Sequence, residues 1–126
     1  KPAAFPAFGP APKAYRIRRL RSLNAQPAVL EEIWLDGDQA AQLSTSELSH
    51  SLYLYYRNVL KLWITEAEDQ LGLEPVPQWA PDGFEPTPGT PCLFAARLSR
   101  SQTGETVEYS QNWIDTNVAR YVARIK

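Results

Sequence analysis

The sequence predicts an α+β fold, an antiparallel sheet with helices set between its hairpins, on three observations. Two stretches, YRIRRLRS with PAVLEEIWL and CLFAARLSR with TVEYSQNWI, place β-branched and aromatic residues on either side of turn formers, as hairpins do. Between them, SLYLYYRNVL sets Leu52, Tyr55, Tyr56, Val59 and Leu60 at i, i+3, i+4, i+7 and i+8, one apolar face of a helix. The chain has 126 residues, 44% of them hydrophobic, which suits one domain around a single core.

Taken in order, residues 1–12 (KPAAFPAFGPAP) carry four prolines, whose fixed φ and missing N–H disfavour helix interior and central strand alike. They read as a linker or truncated lead-in, and residues 13–126 as the domain. The first hairpin follows, turning at LNAQ. Ser44 with Glu47 three residues on forms a possible capping box, and Ser51 is placed to start the tyrosine-rich helix. KLWITEAEDQLGL could extend that helix or form a strand; the expectation is a break near residue 60, then a strand in which Thr65, Ala67 and Leu71 alternate with Glu66, Glu68 and Gln70. PVPQWAPDGFEPTPGTP, with six prolines and two glycines, reads as a connection with room for one short helix at most, near Trp79. In the second hairpin Val107, Tyr109 and Trp113 alternate with Thr106, Glu108, Ser110 and Asn112, predicting one buried and one polar face. VARYVARI reads as a last strand with Ala119, Tyr121, Ala123 and Ile125 on one side. The hairpins also repeat weakly: residues 10–20 align with 88–98, and 27–35 with 106–114, matching Arg19-Leu20 to Arg97-Leu98.

Composition excludes several functions. Thirteen basic residues nearly balance fourteen acidic ones, so the excess positive charge that phosphate-backbone binding needs is missing. Cys92 is the only cysteine, which rules out an internal disulfide and fits a reducing, cytoplasmic compartment. No apolar run approaches the ~18 residues of a membrane span and no export signal is visible. Methionine is missing even at position 1, which points to a processed chain or a fragment.

Catalytic signatures are poor. His50 is the only histidine, and its neighbours Ser49 and Ser51 would point away from it on a helix, so a structural or capping role is expected. One histidine and one cysteine do not make a metal site. Glu66, Glu68 and Asp69 read as a solvated face, and the glycines form no phosphate-binding loop. No catalytic residue, metal or cofactor is expected.

The arginines are more informative. Arg19 and Arg21 lie two apart on a strand, so they share a face with Tyr15 and Ile17 and offer guanidinium forks suited to a carboxylate or phosphate. An ordinary surface ladder with Glu31 and Glu32 across the hairpin explains them equally well. Arg18, of opposite parity, reads as a surface charge. Ser51 would add a helix N-terminus, which favours anions, were it packed over the arginines.

Arg-Leu-Arg-Ser at 19–22, Gln-Pro-Ala-Val-Leu-Glu at 26–31, Ser-Leu-Tyr at 51–53, Pro-Gly-Thr-Pro at 88–91 and Val-Glu-Tyr-Ser at 107–110 occur in order. Together they resemble the UTRA effector-binding domain of GntR-superfamily bacterial transcription regulators of the histidine-utilisation-repressor type, over roughly residues 9–126. The resemblance implies a chorismate-lyase-like fold with a six-stranded antiparallel sheet, usually a homodimer, and a small-molecule site in place of enzyme activity. It also implies a winged helix-turn-helix domain, through which alone DNA would be bound; nothing in this chain matches one. Carried over by motif, the ligand site falls on Arg19 and Arg21 as anion grips, Glu31 as an acceptor, Ser51 and Tyr53 at the helix start, and Glu108 on the second hairpin. Where sugar-phosphate-sensing members carry a tyrosine and an arginine, this chain has Ile114 and Asp115. That departure counts against an amino-sugar phosphate and leaves a small anionic metabolite, whether carboxylate, phosphonate or another phosphate.

Three functions follow as expectations: a ligand-sensing and dimerisation domain of a regulator; an enzyme of the related lyase fold acting on a small aromatic acid; and a pure dimerisation module using Tyr53, Tyr55 and Tyr56 as exposed aromatics.

Overall fold

A computed structural model describes residues 1–43 and 51–125; the Ser44–Glu47 box and His50 lie outside them. Strands β1 (Ala14–Leu23), β2 (Gln26–Asp36), β3 (Ile64–Pro75), β4 (Pro91–Ser101) and β5 (Thr106–Ile114) form one antiparallel sheet in the order β1-β2-β5-β4-β3. The α+β expectation holds, with five strands among the described residues where the resemblance implied six. The two hairpins sit back to back, β2 against β5, and β1 and β3 are outermost. Strand β5 is paired on both edges, and side chains from other segments cover both its faces: Phe5 and Phe8 lie against Tyr109, and Tyr56 reaches Glu108, so Glu108 and Ser110, expected on a polar face, are buried.

Backbone proximity divides the chain into two units. The first comprises residues 1–17, 33–69 and 97–110. Its core gathers Ile17, Ile33 and Leu35 from the first hairpin, Val107 from the second, Leu62, and Leu52, Tyr55 and Tyr56 from the helical segment. Helix α1 (Leu52–Tyr55) starts at Ser51, whose hydroxyl accepts from the N–H of Leu54 at 3.2 Å, and runs into a π-turn over Tyr56–Leu60. The wider π-turn shifts the 3.6-residue period, so Val59, expected on the apolar face, is 49% exposed. Tyr55 and Tyr56 are core residues, which removes two of the aromatics proposed for a dimerisation surface. The segment stops at Lys61, which adopts φ 56°, close to the predicted break. Gln102 fastens the junction, its amide oxygen accepting from Trp63 N–H at 2.9 Å and its amide nitrogen donating to the Lys61 carbonyl at 3.1 Å.

The proline-rich lead-in belongs to the same unit and is packed. Phe8 and Ala11 are buried, and Phe5 meets the rings of Trp34 and Tyr109. Buried Asp36 accepts from the N–H of Ala11 at 3.0 Å and pairs with Lys1. Gly9 makes this approach possible: its φ is +66°, and a Cβ there would fall 2.3 Å from Asp36 Cγ.

The second unit comprises residues 18–32, 70–96 and 111 onward. Leu30, Val76, Phe84, Cys92 and Trp113 form its core, with Trp79 and Phe94 edge-on to the Trp113 ring. The connection at 76–90 holds itself by backbone bonds from Val76 N–H to Thr90 and from Gly89 N–H to Val76, and forms turns around Trp79 where a short helix had room. Trp113 Nε1 donates to the Pro75 carbonyl at 3.1 Å. Residues 119–125 form no strand, contrary to expectation. Asp115 turns the chain first, its backbone carbonyl accepting from Val118 and Ala119 and its carboxylate from Asn117 N–H. Alternation alone does not make a strand without a neighbour, and Ile125 is 98% exposed.

The hairpin turn at Asn24 and Ala25 has φ 51° and 66°, the pair of positive values a type I′ turn needs, with alanine where glycine is favoured. Ala25→Gly is therefore expected to stabilise the chain by about 0.5–1 kcal/mol and raise the melting temperature by about 2–5 °C. Gly9→Ala should lower it by more, through strain and the clash with Asp36; calorimetry on both variants checks the pair.

Candidate functional site

In the first unit a polar chain is built around Glu108 on the central strand. Its Oε2 accepts from the Tyr56 hydroxyl at 2.6 Å and its Oε1 from Ser99 Oγ at 3.0 Å. Ser99 Oγ lies 2.8 Å from the Tyr53 hydroxyl; since the serine proton is directed to Glu108, Tyr53 donates to the serine. Local geometry assembles these groups simply. Tyr53 and Tyr56 are three apart, hence neighbours on one side of the helical segment, and Ser99 is two residues beyond Arg97 on β4. Arg97 completes the cluster with a fork onto Asp69 of β3, Nε to Oδ1 at 2.6 Å and Nη2 to Oδ2 at 2.9 Å.

Electrostatics follow from burial and these partners. Burial first, and the Glu108 charge second, push the Tyr53 phenol above its ordinary pKa, against the opposing effects of the Ser99 bond and Arg97. The Asp69 hydrogen bond, outweighing burial, raises the basicity of Arg97. Neutral hydroxyls arrayed on a carboxylate, beside a fixed guanidinium, can accept from and donate to a polar ligand.

Of the predicted residues, Tyr53 and Glu108 are brought together here. Ser51 lies in the same unit, its hydroxyl engaged in capping α1, and is exposed. Sequence reasoning missed Tyr56, Ser99, Arg97 and Asp69 as a set. Tyr56 had been assigned to an apolar face and Asp69 to a solvated acidic run. The one available signal was the repeat, which aligned Arg97 with Arg19.

In the second unit, Arg19 reaches Glu31 with Nε at 3.3 Å and Nη2 at 3.2 Å, and Arg21 is exposed near the end of β1. Arg18 is exposed, as expected of a surface charge, and there it pairs with buried Glu32 at 2.8 Å and lies 4.2 Å from the Trp79 ring centroid. Ile114 and Asp115 are buried, and the Ile114 carbonyl accepts from Cys92 Sγ at 3.0 Å. Among the described residues no group of three or more His, Cys, Asp and Glu could hold a metal ion, and no helix is long and apolar enough to cross a membrane.

The Tyr53 shift has a direction in pH. A folded-state pKa raised above the ordinary 10.0 contributes stability below about pH 10 and loses it as pH rises toward the folded value, because the unfolded phenol ionises first. Denaturant melts from pH 8 to 11 should show a shallower alkaline decline for Tyr53→Phe than for the unaltered chain.

Comparison with known proteins sets these residues in context. The family model described as the UTRA domain matches residues 7–120. Over 126 residues the chain is 48% identical to the HTH-type transcriptional regulator SmoD of Agrobacterium fabrum, spanning 100% of this chain and 54% of that protein, about half its length. Its fold is similar to the ligand-binding domain of a putative GntR-family transcriptional regulator from Bordetella bronchiseptica, with a TM-score of 0.79, 22% identity, and coverage of 90% of this chain and 73% of that one. It is also similar to the possible transcriptional regulator YydK from Bacillus subtilis, with a TM-score of 0.77, 21% identity, and coverage of 90% and 50%. The effector binding domain of the B. subtilis trehalose repressor follows at a TM-score of 0.68 and 14% identity, covering 90% of this chain and 78% of that one. The match to the family model over most of its length places this chain in the UTRA domain family.

Proposed function

We propose that this chain is the effector-binding and dimerisation domain of a GntR-type transcription regulator, which binds a small anionic metabolite and so modulates DNA binding by a helix-turn-helix domain outside these residues. The observation that carries the reading is 48% identity, along the whole chain, to about half of an HTH-type transcriptional regulator. Effector binding would act by shifting the population of dimer arrangements, through differential affinity for them.

The residues take separate roles in their own units. Arg19 and Arg21 grip the anion, with Glu31 holding Arg19 and available as an acceptor. Tyr53 and Glu108, with Ser51 at the helix start, supply hydroxyl and carboxylate recognition. A carboxylate, phosphonate or phosphate suits the guanidinium pair, and the buried Ile114 and Asp115 stand where sugar-phosphate sensors carry a tyrosine and an arginine.

Thermal-shift screening of anionic metabolites, followed by calorimetry, tests the reading. Arg19→Ala combined with Arg21→Ala should cost ~2–5 kcal/mol of binding to the ligand so found. Unchanged affinity would remove the arginines from the site. Glu108→Gln should lower stability by about 1–3 kcal/mol, since the buried amide no longer offers two charged acceptors to Tyr56 and Ser99. It should also weaken ligand binding, and chemical denaturation separates the two effects.

A further inference from the structure

β3 is an outermost strand, and such strands expose a row of backbone N–H and C=O groups that can template pairing with another chain. Proteins blunt such edges by keeping them short or by placing charged residues, prolines and bulges in them. β3 has the charges, in exposed Glu66, Glu68 and Glu74, which leave it open to a cationic strand; it is also 12 residues long, its one proline is its last residue, and Leu71 and Leu73 are 52% and 72% exposed. Its alternation sorts the side chains into two sets. Thr65, Ala67, Leu71 and Leu73 share one parity, with Asp69 turned to Arg97; Glu66, Glu68, Gln70 and Glu74 share the other.

Residues 118–125 match this pattern in complement. Ala119, Tyr121, Ala123 and Ile125 share one parity, and Val118, Arg120, Val122 and Arg124 the other. As a strand beside β3, this segment would lay its small and apolar side chains along the leucines and its arginines along the glutamates. Within its own chain it does not do so. Ala119, Arg120 and Tyr121 border a shallow cavity with Leu71 and Leu93, and beyond them Val122 and Ile125 point to solvent.

We infer that residues 118–125 of one copy add as a further strand to the β3 edge of a second copy, reciprocally about a twofold axis. Charge complementarity selects this occupant. Pairing β3 with the β3 of a second copy would set Glu66, Glu68 and Glu74 against their own kind, whereas the segment brings Arg120 and Arg124 to them. Main-chain bonding supplies affinity in such additions, and the side-chain sets supply register and specificity. The inference deepens the dimer part of the proposed function and rests on it; it is independent of the ligand residues.

Two charge-reversed chains test it: Arg120→Glu with Arg124→Glu, and Glu66→Lys with Glu68→Lys and Glu74→Lys. All five positions are exposed, and circular dichroism checks that both variants keep the fold. By sedimentation equilibrium each alone should dimerise at least ~10-fold more weakly than the unaltered chain, through like-charge juxtaposition, and an equimolar mixture should recover the dimer. Dimerisation unaffected by the arginine reversal, or loss without recovery on mixing, overturns the inference. A segment that pairs with its own β3 would leave the mixture no better than its parts, which also overturns it. A chain that never dimerises refutes the dimer proposal itself. Calorimetric titration of both variants with the screened ligand keeps that outcome distinct from the fate of the ligand-binding reading.

Discussion

The burial of Glu108 on the central strand constrains everything near it in the first unit. An ionised carboxylate withdrawn from water costs several kcal/mol unless partners satisfy it. Its partners come from two other elements: Ser99 from the adjacent strand and Tyr56 from the helical segment. For Tyr56 to reach Glu108 while its ring fills the core, the segment must pack with Leu52 and Tyr55 inward, and it does. One polar requirement thus orients an apolar element. Tyr53, one turn back, joins the chain through Ser99. A network satisfied from several elements resists small displacements, which is what a recognition surface requires of its frame.

Much of this was legible in the sequence because local rules and tertiary context agreed. The first hairpin formed as expected, Ser51 capped the helix, and the chain broke at Lys61 before a strand, where Trp-Ile-Thr favours extension. What could not be read is which segment covers each face. Alternation in TVEYSQNWI implied one wet face; the helical segment covers that side through Tyr56, so Glu108 and Ser110 became interior polar groups. The same blindness applied in reverse to ITEAEDQLGL. Its alternation marked the strand, yet nothing in it showed that Leu71 and Leu73 would lie in solvent. Periodicity reports which residues share a face and says nothing about what covers that face.

The candidate site was legible in part, for a related reason. Tyr53 and Glu108 were found through motifs, and they do meet through Ser99. Tyr56 and Asp69 escaped because each has a satisfactory bland reading, one as an apolar helix face and the other as a solvated charge. A tyrosine can be both core ring and hydrogen-bond donor, and the sequence does not show which end matters. Arg18 stays at the surface as expected, yet its partners were only half legible. Parity correctly separated it from Arg19, but the connection that brings Trp79 beneath its guanidinium lies some sixty residues away in sequence.

Ile114 and Asp115 meet an ordinary structural need. At the end of β5 the chain must turn, and Asp115 does this work through its carbonyl and its carboxylate, while its own N–H reaches Ala28. Ile114 is buried and gives its carbonyl to the thiol of Cys92. An arginine in place of Asp115 would remove the acceptor for Asn117 N–H and bring a long cation into a buried position. In this chain those two positions serve the fold. Within the second unit Arg19 and Arg21 are separated by one residue on a strand, where their spacing is fixed by the backbone. Glu31 restrains Arg19 without neutralising Arg21, so the pair retains net positive charge. Planar guanidinium forks match the geometry of carboxylates and phosphates in a way that ammonium groups do not, which is why arginine rather than lysine at both positions is informative.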